Sequence, residues 1–152
     1  MSLTVEDRLQ IEELRRLYAK ATDLIGLGDD QSVAAGLEIY HRIFTPDAGI
    51  RTRNAGEPLT STGPDEWAGV VKDALADYKS TQHLIGTQLI VATSPDAELE
   101  SYLHAWHQRP DNSIWVFVGT YYDKVKQTEK GWQIYDMTLE MSVGYQLPAQ
   151  DN

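Results

Sequence analysis

The chain has 152 residues, no cysteine, and 13 Lys+Arg against 23 Asp+Glu, for a formal net charge of -10 at pH 7. That length suits one domain with a real core or pocket, and the missing thiols exclude a disulfide framework, thiolate zinc, iron–sulfur clusters and thiol catalysis. The acidic balance repels phosphate backbones and anionic lipid, so neither nucleic acid nor a membrane surface is an expected partner.

The opening Met-Ser-Leu-Thr-Val-Glu-Asp-Arg has no basic start and no apolar run, so it is not read as a secretory signal. No apolar stretch approaches the ~20 residues of a membrane helix. The expectation is a cytoplasmic protein, one domain over 1–152 with an ordered core at about 5–145.

Thr4 with Asp7 three residues on reads as a helix N-cap, and Ile11, Leu14, Leu17, Tyr18, Ala21 and Ile25 recur at three- and four-residue steps. Gly26 and Gly28 are expected to stop this helix in the left-handed conformation. A second helix is predicted from about Ser32 to Phe44, ended by Pro46. Ala48–Arg53 and Pro58–Ser61 flank Asn54-Ala55-Gly56 and read as a hairpin. Gly63-Pro64-Asp65-Glu66 opens a third helix, with Trp67, Val70, Val71, Ala74, Leu75 and Tyr78 as its apolar face.

From Thr81 the pattern changes to strands. Thr81–Thr93, Glu98–Gln108, Ser113–Gln127 and Trp132–Tyr145 are rich in β-branched and aromatic residues and are separated by turn chemistry. Leu147 to Asn152 read as a frayed tail. Helices first and long strands last is an α+β order. The predicted fold is a cone-shaped curved antiparallel sheet wrapped around three N-terminal helices, with one deep pocket.

Of four histidines, His41 lies on a helix, at the surface or a helix–sheet seam, and His83, His104 and His107 lie on strands. Strict alternation gives His83 the same face as Ile85, Thr87, Leu89 and Val91. Such a residue is either a satisfied core histidine or a base in an apolar pocket. His107 shares a face with Leu99, Ser101, Leu103 and Ala105, whereas His104 shares the other with Tyr102 and Trp106, so one faces the cavity and the other a partner subunit. The histidines lack metal-ligand spacing, and there is no glycine-rich phosphate loop and no Gly-x-Ser-x-Gly elbow. No metal or cofactor is expected.

Thr81-Gln82-His83-Leu84-Ile85-Gly86 resembles the segment around a catalytic histidine of scytalone dehydratase, and His107-Gln108-Arg109 resembles that enzyme's second catalytic histidine segment. Phe44-Thr45-Pro46-Asp47-Ala48 and the element order are similar to SnoaL-like proteins of the nuclear transport factor two-like superfamily. The resemblance covers about residues 5–145. Tyr18 and Asp23 have the spacing of the tyrosine and aspartate of a bile-acid dehydratase in that superfamily, and Asp23 matches the aspartate that orients the base in scytalone dehydratase. Thr52 stands where that enzyme has a carbonyl-polarising tyrosine, and Val118 where it has a pocket asparagine. On helical geometry alone, Asp23 lies about 140° from Tyr18 and points away from the apolar face.

The resemblance implies a catalytic set of His83, Asp23, Tyr18 and His107. Asp23 would hold His83 as a base toward a proton α to a carbonyl. Tyr18 would stabilise the enolate, His107 would assist the leaving group, and Trp67, Leu84 or Phe117 would form an apolar wall. The expected activity is a cofactor-independent lyase (dehydratase) or isomerase on a small, cyclic, apolar hydroxy-carbonyl compound. Two alternatives stay open: a SnoaL-like polyketide cyclase, and a non-catalytic binding protein using exposed Tyr121, Tyr122 and Trp132. A homodimer or homotrimer is expected through the strands after Glu98.

Overall fold

The computed structural model describes residues 2–149. Its elements are α1 (Val5–Ile25), α2 (Asp30–Ile43), β1 (Phe44–Arg53), β2 (Thr60–Thr62), α3 (Gly63–Leu75), β3 (Ser80–Ala92), β4 (Ala97–Gln108), β5 (Ile114–Thr128) and β6 (Gly131–Leu147). The strands form one curved, unclosed six-stranded sheet in the order β2-β1-β6-β5-β4-β3. No helix among the described residues is long and apolar enough to cross a membrane.

Helix α1 begins as its sequence predicts. The Thr4 hydroxyl accepts from the Asp7 amide at 3.1 Å, and the Thr4 amide donates to Asp7 at 2.8 Å, so two amides that the first helical turn leaves free are satisfied together. Its buried stripe of Ile11, Leu14, Arg15, Tyr18, Ala21, Thr22 and Ile25 lies on the sheet and on α2. The helix end departs from expectation. Gly28 is left-handed (φ 79°), but Gly26 stays helical at φ -62°. Gly26 is needed for another reason: a Cβ there would stand 3.0 Å from Leu75 Cδ1 and 3.2 Å from Thr81 Oγ1. Its bare backbone lets the end of α1 press against α3 and β3.

Helix α2 is capped by Asp29, whose side chain accepts from the Ser32 amide at 2.9 Å. It ends at Ile43, and Phe44 turns extended, so Pro46 lies inside β1 instead of ending a helix. Gln133 on β6 secures the junction by donating to the carbonyls of Arg42 and Phe44, both at 3.0 Å.

Strands β3 to β6 form the expected antiparallel meander, and β1 and β2 form the expected hairpin pair. The sheet as a whole is mixed, not antiparallel, because β1 pairs with β6 in parallel. The cause is topological. Helix α3 carries the chain from β2 at one edge to β3 at the other, and the meander returns so that its last strand docks beside β1 in the same direction. The expected tail is also shorter, since Leu147 still pairs with Ile114; residues 150–152 lie outside the described residues.

The inward face of the sheet carries Leu99, Leu103, Ala105, Tyr121 and Met137 against the helices. The outer face exposes Leu84, Tyr102, Tyr122, Val143 and Tyr145.

Candidate active site

The register decides which strand residues look inward. On β4 the alternation is unbroken, so Leu103, Ala105 and His107 face the helices, and His104 faces out. On β3 the pairing slips between Ile85 and Gln88. His83 and Ile85 face inward as predicted, but the slip reverses parity, and Leu89 and Val91 are exposed. Leu84, expected in the apolar wall, is on the outer face and 46 % exposed. Val118 pairs with His104 on that same outer face, where it lines a shallow outer groove, so it is not part of the inward cavity.

The inward residues and helices line an open-mouthed cavity of about 270 Å³, with residues that include Tyr18 and Thr22 from α1, Trp67, Val71 and Leu75 from α3, and Thr52, His83, His107, Phe117 and Tyr121 from the sheet. Trp67 and Phe117 therefore form the expected wall. No Lys, Arg, Asp or Glu is among the lining residues.

His83 and Asp23 meet. The Nδ1 of His83 is 2.7 Å from Asp23 Oδ1, and since a carboxylate only accepts, Nδ1 carries the proton. The same carboxylate accepts from the His83 backbone amide at 3.2 Å and from the Thr81 hydroxyl at 2.9 Å. Thr81 and His83 share a strand face at two-residue spacing, so one carboxylate locks both. Asp23 reaches them because the sheet curves round until β3 lies along the flank of α1, not against its apolar face. Helical periodicity read in isolation points Asp23 to solvent for this reason. The His83 side chain is 8 % exposed, and its Nε2 has no protein partner among the described residues.

His107 stands beside it, with ring centroids 5.5 Å apart and rings at 88°. Its Nδ1 is 3.2 Å from the Trp115 carbonyl oxygen. Burial, and then the neighbouring His83, push its imidazole from the ordinary 6.5 down to about 4.

Tyr18 is buried at the other side of the cavity. Its oxygen accepts from Trp67 Nε1 at 3.1 Å. Burial holds the phenol above its ordinary pKa although the Arg15 guanidinium lies 4.4 Å over the ring. Tyr18 is therefore a neutral O–H. Two groups in this region escaped the sequence reading. Arg15 is fully buried and pairs with Asp123 through Nε at 3.1 Å and through Nη2; its place in the i, i+3, i+4 stripe with Ile11, Leu14 and Tyr18 was the available signal. Tyr121, expected at the surface, is buried, with its ring under Arg15 at 3.8 Å and its hydroxyl unpartnered. Trp132 is buried too, donating to Asp7 at 3.0 Å, and of the three proposed binding aromatics only Tyr122 is exposed.

His41 lies at the surface between helices, its Nε2 3.0 Å from Asp65 at the start of α3. It has no part in the cavity.

Three helices on a curved, unclosed mixed sheet are an α+β fold of the nuclear transport factor two-like type. The chain belongs to the SnoaL-like domain family, whose model matches residues 3–138. A candidate aromatic ring hydroxylase from Novosphingobium aromaticivorans superposes with a TM-score of 0.79 at 22% identity, covering 96% of each chain. A candidate scytalone dehydratase from the same organism gives 0.71 at 17% identity, covering 97% of this chain and 94% of that one. The hexachlorocyclohexane dehydrochlorinase LinA-type3 of Novosphingobium barchaimii gives 0.76 at 14% identity, covering 98% of both. At these identities the likeness establishes the fold. No curated protein matches the sequence.

Proposed function

We propose that this protein is a cofactor-independent lyase of the dehydratase type, or an isomerase, acting on a small neutral cyclic hydroxy-carbonyl compound. One observation carries the reading: His83 is gripped by Asp23 at 2.7 Å through Nδ1, while its Nε2 is left free at an uncharged cavity. A base so held keeps its tautomer, and the carboxylate stabilises the imidazolium that forms.

In the proposed reaction His83 Nε2 takes a proton from the carbon α to the substrate carbonyl. The C–H electron pair moves onto the carbonyl oxygen as an enolate, which the neutral Tyr18 O–H, with Tyr121 in the same wall, stabilises. Collapse of the enolate forms the carbon–carbon double bond and expels the β-hydroxyl. The imidazolium returns its proton to that oxygen, so water leaves and His83 is restored. In isomerisation the proton goes back to a different carbon. Trp67 and Phe117 exclude solvent. The names borne by two fold neighbours, a candidate scytalone dehydratase and a dehydrochlorinase, are in keeping with elimination chemistry. A cyclase working through a bare pocket carboxylate fits less well, because the acid nearest the cavity is already committed to His83 and Thr81.

The test is turnover of cyclic β-hydroxyketones followed by product mass. His83→Ala is expected to cost about 10²–10⁴ in rate, and Asp23→Asn to fall by a similar factor. Loss of one water marks dehydration. Full turnover in both variants, with the fold retained, refutes the proposal.

A further inference from the structure

The two imidazoles at the cavity are anchored differently. His83 donates its Nδ1–H to a carboxylate. His107 sits next to a backbone carbonyl, 3.2 Å from the Trp115 oxygen. A carbonyl oxygen can only accept, so Nδ1 of His107 must carry the proton, and in the neutral ring Nε2 is then a bare lone pair. That atom has no protein partner among the described residues, and His107 lines the cavity.

The surroundings keep the ring neutral. It faces His83 from β3 at 5.5 Å and the Tyr78 ring after α3 at 5.0 Å. Burial is the largest influence against a charge on the ring, joined by His83 and by Arg109 just beyond β4; the Trp115 carbonyl and Asp23 on α1 favour one and are outweighed. The ring is 6 % exposed, so water does little to screen a charge.

We infer that His107 is a fixed hydrogen-bond acceptor, not a proton donor, and that its Nε2 selects neutral substrates presenting a hydroxyl at the β4–β5 end of the cavity. The inference rests on the proposed function for its reaction and names the substrate feature that this site reads. The cavity then has a polarity: donors at the Tyr18 wall and an acceptor at His107. A substrate with its carbonyl toward Tyr18 and a hydroxyl toward His107 is aligned across His83. An analogue whose hydroxyl is capped leaves a buried lone pair unmet, and that cost falls on the wrong ligand. The leaving-group proton would then come back from His83, with His107 orienting the substrate.

The experiment has two readouts on the full chain. Nitrogen shifts of the imidazoles at pH 7 should show His107 protonated at Nδ1 and bare at Nε2; the opposite tautomer overturns the inference. Binding is then compared for 2-naphthol and its methyl ether, 2-methoxynaphthalene. Wild type should prefer the naphthol by about tenfold. His107→Phe should reduce that preference below about twofold, and His107→Gln, which places an amide oxygen near the Nε2 position, should restore part of it. An equal response to the two probes in wild type, including no binding of either, overturns the inference, as does a preference that survives His107→Phe. His83→Ala separates the two readings. It should abolish turnover while leaving the naphthol preference intact; a preference that disappears there but persists in His107→Phe assigns the acceptor to His83 and leaves the proposed reaction standing.

Discussion

The neutrality of His107 makes stability depend on pH in a way that can be measured without any substrate. Its imidazole sits at about 4 in the folded protein against an ordinary 6.5, through burial first and His83 second. Between those values the unfolded chain binds a proton at His107 that the folded chain refuses. Unfolding takes up that proton, so stability rises with pH across the window. The contribution is fully present above 6.5, is lost as pH falls, and is gone below about 4. A span of about 2.5 pH units at 1.36 kcal/mol each corresponds to about 3 kcal/mol. The perturbation is His107→Gln, which cannot titrate and can still donate toward Trp115. Carboxylates titrate in both proteins and cancel in the difference. Urea unfolding at pH 7, 6, 5 and 4 should therefore show the wild-type curve falling by about 3 kcal/mol more than the variant's, a movement of the urea midpoint of about 1–3 M. Parallel curves for the two proteins would show that His107 charges as readily when folded as when unfolded, and would remove both this reasoning and the acceptor role built on it.

Two further outcomes follow from the packing. Arg15→Met leaves Asp123 buried without its cation and should cost about 3–5 kcal/mol, whereas Arg15→Met with Asp123→Leu should recover most of the loss, both read by urea unfolding; a single variant costing under about 1 kcal/mol would show that the pair is hydrated. Gly26→Val drives a side chain into Leu75 and Thr81 and should cost about 1–3 kcal/mol while lowering turnover through the Asp23–Thr81–His83 seam. Gly28→Ala, left-handed but with open space around it, should cost about 1 kcal/mol and leave turnover unchanged. Equal effects of the two glycine variants on turnover would contradict the seam.

What the sequence made legible was local. The Thr4–Asp7 box, Pro64 at the start of α3 and the turns between the long strands are set by neighbours a few residues apart, and each formed where the sequence placed it. The parity of His107 was readable because β4 has no bulge. The parity beyond Ile85 was not, because a slip in pairing moves every later side chain to the opposite face, and Leu89 and Val91 went with it. The parallel β1–β6 pairing and the burial of Tyr121 and Trp132 depend on contacts between distant segments, which periodicity does not encode. Asp23 is the instructive case. The resemblance placed it at the site, and helical geometry placed it in solvent. Both describe the same helix: the residue is off the apolar face, and the sheet comes round to meet it.

Arg15 and Asp23 are two turns apart on α1 and each belongs to a buried or half-buried charged cluster, yet they differ in what remains uncommitted. Arg15 gives Nε and Nη2 to Asp123, points Nη1 at Met137 Sδ 3.5 Å away, and has Tyr18 and Tyr121 on its faces. Neither charged group is open to a ligand, since the Arg15 and Asp123 side chains are both fully buried, and replacing the pair with apolar side chains would leave a packed core. Asp23 is also saturated, by Thr81 and twice by His83, but the histidine it holds is not: one nitrogen is spent on the carboxylate and the other is open to the cavity. An ion pair sealed from the cavity can only hold the fold together. A cluster that is matched on one side and open on the other can exchange a proton with something that enters, and the role proposed for His83 rests on this difference more than on burial or charge.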